Sequence, residues 1–406
     1  MGSGVWWTAS ICAEQYGVDD PSMTARQDSQ FDVIVAGVGS VGSAALYQLA
    51  RSGARVLGLE QSLTIPHEDG SHHGHSRMIR QAYFEHPDYV PLLRRAYDLW
   101  DELQSLSGDR FLHLTGGLYI GPEDGVIVPG SLQAAREHEL PHMLAPADEF
   151  VERYPVLNPC ADQLGFFEDR GGFLVPEKAV NAYVHAACHA GADLHAGEAL
   201  RSWKCHDDHV EVTTDRASYS AEKLIITSGA GSAAAIRDLG IELQVTRQVL
   251  AWFKPLGTLE RFEPGRFPCW FIETASPYGH YGFPILAGDP GLKIALHKPG
   301  EIIDPAGEVE PPRDSEIDAL RAILDRYFPG CAGELAHACT CKYTNSPDSH
   351  FIVGNHPRHE RVSIACGLSG HGFKFSSVLG EVLADLALEG KTALPIEFLS
   401  PLRFGN

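Results

Sequence analysis

Basic residues are in short supply. The 406-residue chain carries 32 lysines and arginines against 53 aspartates and glutamates, a formal charge of −21. That balance excludes a general nucleic-acid binder, which needs many basic contacts to phosphate, although a few local cations can still hold a small anion. The chain also lacks an apolar run of about 18 residues, the length of a bilayer-spanning helix, so no membrane partner is expected. Its nine cysteines are odd in number and irregular in spacing, unlike a secreted disulfide framework, which points to a reducing, cytoplasmic setting. Internal repeats and low-complexity linkers are absent. Residues 1–30 contain Trp6 and Trp7 but no basic segment followed by a sustained apolar core. They read as a tail rather than a signal peptide, with Met23 as an alternative start.

What is present is an ordinary soluble composition, 44% hydrophobic and 21% charged, in a chain long enough for two or three units. Its most informative stretch is 31–60. The apolar run Phe31-Asp-Val-Ile-Val-Ala36 leads straight into Gly37-Val38-Gly39-Ser40-Val41-Gly42. An apolar helix pattern follows, then a second strand that ends on Glu60. This is a dinucleotide-binding unit. Gly37 makes the tight turn, Gly39 admits a pyrophosphate, Gly42 allows close helix packing, and Glu60 accepts from a ribose.

A polar, histidine-rich loop follows at 66–77, then an amphipathic helix pattern through Tyr89, Leu92, Leu93, Ala96, Leu99, Trp100 and Leu103. Short β segments around 111–121 precede a proline-rich region to about 180 with few periodic elements. A helix is expected at 178–190, strands at 210–212 and 223–229, alternating strands over 245–300, and helices at 314–328 and 378–389. The alternation predicts an α/β fold of two interleaved domains. A Rossmann-like nucleotide domain comprises 31–115, 178–244 and 335–395. An antiparallel substrate domain comprises 116–177 and 245–334, and 396–406 is a C-terminal tail.

A second glycine-rich turn, Gly367-Leu-Ser-Gly370-His-Gly372-Phe-Lys374, feeds the last helix and offers another electropositive pocket. Arg77 and Arg80 lie three apart, so a helical turn would place them on one face. His67, His72, His73 and His75 have no accompanying cysteine or second histidine pair at ligand spacing, and no metal site is predicted. Trp252, Trp270 and Phe271 read as core.

Taken together, the first glycine loop, Gly70-Ser71-His-His-Gly-x-Ser76-Arg77-x-Ile-Arg80, Cys341-x-Tyr-Thr-x-x-x-Asp348-x-His350 and the second glycine turn resemble monomeric sarcosine oxidase and the related N-methyltryptophan oxidases, flavoenzymes of the D-amino acid oxidase superfamily. The resemblance runs from Phe31 to about Leu394. It implies a two-domain flavoprotein whose FAD contacts fall on Gly37, Val38, Gly39, Ser40, Val41, Gly42, Glu60, Gln61, Ser71, Ser76, Arg77, Leu200, Cys341, Gly370, Gly372 and Lys374. The flavin would be joined covalently, through its 8α-methyl group, to Cys341, although Cys339 lies two residues away. Arg77 would act at the flavin ring, Arg80 and Lys374 would hold the substrate carboxylate, and His297 and Tyr281 would line the substrate pocket. Lys293 would stabilise oxygen as it is reduced. Between Tyr281 and Lys293 the chain has one residue more than the family pattern, which makes Tyr281 the weaker match. His75 stands where close relatives have aspartate, and Ser76 where they have threonine.

The activity implied is oxidation of the C–N bond of a secondary amino acid, N-methyl or cyclic, with O₂ reduced to hydrogen peroxide by a monomeric protein. Its rivals are a flavin dehydrogenase with another acceptor, a nucleotide-binding protein without turnover, and an NAD-dependent dehydrogenase. Lys293 argues against the first, the joint presence of Cys341, Arg80 and Lys374 against the second, and Cys341 with the second glycine turn against the third.

Overall fold

A computed structural model describes residues 30–405; of the expected tail at 1–30, which includes Met23, only Gln30 falls among them, and it opens a strand. The first of two eight-stranded sheets has Gln30–Ala36 at its centre, parallel to Val56–Glu60 on one side and to Ser218–Ile226 on the other. His359–Cys366 adds a further parallel strand beside Ser218–Ile226. Strands so enclosed read as continuous apolar runs because both faces are covered. Helices Ser40–Arg51, Tyr89–Ser107, Pro176–His189 and Ser376–Glu389 share one core on this sheet. The Tyr89–Ser107 pattern holds as expected: its apolar stripe is buried, and the helix stops where Gly108 turns left-handed and donates to Gln104 O.

The second sheet is mostly antiparallel, with Gln244–Phe253 between Leu335–Asn345 and Leu292–His297, followed by Tyr278–Gly282 and Cys269–Ala275. A small three-stranded sheet of Arg77–Ile79, Gly172–Leu174 and Leu112–Leu114 links the two halves. Among the described residues no helix is long and apolar enough to cross a membrane.

Three expectations need correction. Leu335–Asn345 belongs to the second sheet, paired along its length with Gln244–Phe253, so the chain re-enters the first sheet only after it. Residues 396–405 are no loose tail: Leu399 is fully buried and Arg403 pairs with Asp348 at 2.7 Å. The proline-rich region holds helix Ile127–Glu137 and strands Met143–Pro146 and Gln163–Glu168. Pro129 and Gly130 in the first helical turn hid that helix from the pattern.

Candidate active site

The glycine loop sits where Gln30–Ala36 ends. Gly37 has φ +93°, and a Cβ there would lie 2.6 Å from Thr227 O; one on Gly42 would lie 1.9 Å from Gly37 O. No larger residue fits either place. Helix Ser40–Arg51 starts from Gly39 with no side-chain cap and no acid in its first turn, so its leading N–H groups are left for an anion. Glu60, buried at the end of its strand, accepts from Val38 N–H at 3.0 Å and Ser62 N–H at 2.9 Å. The donor set fits a dinucleotide: uncapped N–H groups for its pyrophosphate and a fixed carboxylate for ribose hydroxyls.

A second cavity lies between the sheets. Arg77, Arg80, Glu85 and Lys374 supply its charges, and Phe271, Tyr281, His297, Tyr343, Gly370 and His371 form much of its wall. Arg80 grips Glu85 bidentately at 2.6 and 2.7 Å, with its guanidinium 4.2 Å from the Tyr83 ring centre. Burial would raise the Glu85 carboxyl, but Arg80, His371 and Lys374 overcome it and hold it at about 2. Burial, aided by Arg80, drops the Lys374 ammonium to about 7. The same desolvation takes His297 to about 4 and His371 to about 3, so both rings are neutral near pH 7. Gly370, at φ +79°, lies so close over Tyr343 that a Cβ would meet its ring at 2.2 Å.

Lys293 is buried beside this cavity, its Nζ donating to Gly74 O at 2.7 Å and Ser76 O at 2.9 Å. Arg77 Nη2 donates to Ser71 O at 3.0 Å and lies 3.5 Å from Cys341 Sγ. Cys339 and Cys341 share a strand face, but it is Cys341 that meets Arg77; burial pushes the Cys339 thiol up to about 11.

Elsewhere, Asp238, His356 and His359 bring three ligand-type atoms together. Arg358 Nη2 already donates to Asp238 Oδ2 at 2.9 Å, and His356 Nδ1 accepts from Arg358 N–H. The His356 ring proton therefore sits on Nε2, 3.0 Å from the carboxylate, where a metal ligand needs a lone pair. The ion pair here is Arg358–Asp238, with a neutral His356 ring beside it.

The profile described as FAD dependent oxidoreductase matches residues 32–386. Monomeric sarcosine oxidase of Streptomyces avermitilis is 41% identical over 375 residues, 92% of this chain and 97% of that one. The chain belongs to this family of FAD-dependent oxidoreductases. N-methyl-L-tryptophan oxidase of Salmonella agona is 36% identical, covering 93% of this chain and 99% of its own. Among solved structures, NikD, an unusual amino acid oxidase essential for nikkomycin biosynthesis, superposes with TM-score 0.79 at 26% identity over 92% of this chain and 98% of that one.

For this FAD-dependent oxidoreductase, the structure gathers Arg77, Arg80, Tyr281, His297, Gly370 and Lys374 around one cavity, with Lys293 and Cys341 adjoining. Tyr281 lines the cavity with the additional residue present in the chain. Arg77 and Arg80 are not on a helix: Arg77 starts the strand Arg77–Ile79 and Arg80 follows it. Phe271 is core, as read, and also lines the cavity. Gln61 is exposed beyond Glu60, and Leu200 opens an edge strand and packs on the first sheet's core. In the histidine loop, His73 bridges Gly70 O and Thr340 O, and His67 N–H donates to His72. Glu85, Tyr343 and His371 were missed as site residues. The one sequence signal for Glu85 was an acid five positions after Arg80.

Proposed function

We propose that this FAD-dependent oxidoreductase oxidises the C–N bond of a secondary amino acid, N-methyl or cyclic, with O₂ as electron acceptor. The observation that carries the reading is a cavity that holds the buried side chains of Arg80 and Lys374 together against aromatic walls. Two cations suit a carboxylate, while the neutral imidazoles of His297 and His371 and the rings of Phe271, Tyr281 and Tyr343 suit a small, uncharged amine. A protonated amine meets cationic Arg77 and a Lys374 ammonium balanced near 7, while Glu85 is already paired with Arg80, so the cavity favours the free base that the chemistry requires. Substrate loses a hydride and a proton to become an imine. Water then splits the imine of an N-methyl substrate into formaldehyde and a primary amino acid.

The Gly37–Gly42 loop and Glu60 would hold FAD, with Cys341 as its covalent anchor, and the bound flavin would supply two-electron redox chemistry between substrate and O₂. Arg77 and Lys293 place positive charge where reduced oxygen builds up negative charge, and Gly74 and Ser76 hold the lysine in position. The relatives named monomeric support a single-chain enzyme, and the reducing setting remains the cytoplasm.

The test is the visible spectrum of purified protein before and after acid precipitation. A yellow pellet that is lost in Cys341→Ala and kept in Cys339→Ala supports the anchor, and peroxide release with N-methyl or cyclic amino acids supports the reaction. Protein without flavin after reconstitution refutes it.

A further inference from the structure

One peptide group beside the cavity is hydrogen-bonded at both ends by charged side chains. The carbonyl of Gly74 accepts from Lys293 Nζ at 2.7 Å, and the N–H on the other side of that peptide, that of His75, donates to Glu177 Oε1 at 3.0 Å. The same carboxylate oxygen also accepts from Gly74 N–H at 2.8 Å. Gly74 at φ +103° and His75 at φ +68° are both left-handed, a conformation that a non-glycine residue rarely adopts. It brings the Gly74 and Ser76 carbonyls onto one ammonium. Glu177 lies in the first turn of helix Pro176–His189, where the helix dipole favours a carboxylate.

We propose that Glu177 is a positioning residue that keeps Lys293 in place and cationic by acting through the Gly74–His75 peptide. The inference rests on the reading of Lys293 as the residue beside which O₂ is reduced. An anion on the N–H end of a peptide polarises it and makes its carbonyl a better acceptor for an ammonium. That support matters because the surroundings oppose the charge: burial, then Arg77, bring the Lys293 ammonium down to about 7. Glu177 is the leading group that works the other way, ahead of Cys341 and Cys339, which lie two strands away across Gln244–Phe253. His75 itself meets Asp289 at 3.5 Å in a half-exposed pair, which adds little.

Flavin-loaded wild type, Glu177→Gln, Glu177→Asp and Lys293→Met separate the possibilities. Glutamine keeps an oxygen acceptor for both N–H groups and removes only the charge. The midpoint of a pH titration of the flavin visible spectrum is expected to fall by about one unit in Glu177→Gln. O₂ reoxidation after photoreduction then slows roughly eightfold at pH 7.5 and little at pH 5.5. Glu177→Asp, with a retracted carboxylate, gives an intermediate shift and carries the test if Glu177→Gln does not load flavin. A midpoint unmoved in both variants overturns the proposal, as does a slowing equal at every pH, the mark of a merely structural role. Lys293→Met should abolish the titration. If it does so yet reoxidises as fast as wild type, the oxygen reading fails while the midpoint shift still reports the Glu177–Lys293 coupling.

Discussion

The two halves of the site solve opposite problems by opposite means. The nucleotide crevice is made from main chain: glycines that no side chain can replace, an uncapped helix start and one carboxylate fixed by two N–H groups. The cavity between the sheets is made from side chains, with Arg80, Lys374 and the adjoining Lys293 buried, and Glu85 partly so, at costs that only partners can offset. A backbone site has fixed polarity and little response to pH. A site of buried ionisable groups can be tuned, and it is correspondingly sensitive to loss of any one of them.

Substitutions on either side test that contrast. Gly42→Val has the largest expected effect: with a Cβ 1.9 Å from Gly37 O, the turn must open, and flavin content measured at 450 nm should fall to background. Arg80→Met comes next, leaving Glu85 as an unpaired buried charge at a cost of about 3–5 kcal/mol in urea unfolding. It should weaken a carboxylate inhibitor more than a hundredfold, by about 3 kcal/mol of lost charge-assisted contact, without lowering flavin content; equal loss of both would erase the distinction between the halves.

The pH response should belong to the cavity alone. With the Lys374 ammonium at about 7 rather than its ordinary 10.5, the lysine is cationic below that pH and neutral above it. Inhibitor affinity should therefore fall as pH rises past 7, by up to about tenfold per unit. Lys374→Met should flatten this profile while non-covalent FAD affinity stays level with pH. The smallest effect is expected from Glu60→Gln, which keeps one oxygen acceptor, turns the other into an amide NH2 and loses charge. In a Cys341→Ala background, FAD should bind about three- to tenfold more weakly, near 1 kcal/mol.

The contrast also decides what could be read without coordinates. The crevice is local: its strand, glycines, helix and acid fall within residues 31–60, so spacing carries its geometry. The cavity draws on positions 77–85, 271–297, 343 and 370–374, which no periodicity connects; only resemblance to a family brought Arg80, His297 and Lys374 together. Glu85 and Glu177 lay beyond both routes, because each acts on a group that spacing alone could not place next to it. Arg77 and Arg80 were assigned a helix because a three-residue interval reads as a turn, while the strand that actually holds Arg77 is specified by its distant partner Gly172–Leu174. Leu335–Asn345 was misplaced for the same reason: its register with Gln244–Phe253 is fixed by pairing across roughly a hundred residues of chain.

That strand works as a rail. Cys339, Cys341 and Tyr343 project from one side of it at intervals of two, opposite Leu250, Gln248 and Thr246. The thiol proposed to hold the flavin and the ring that lines the cavity thus ride on the same rigid segment. A slip of a single residue would turn both away together, so selection for cofactor attachment and selection for substrate fit act on one mechanical part.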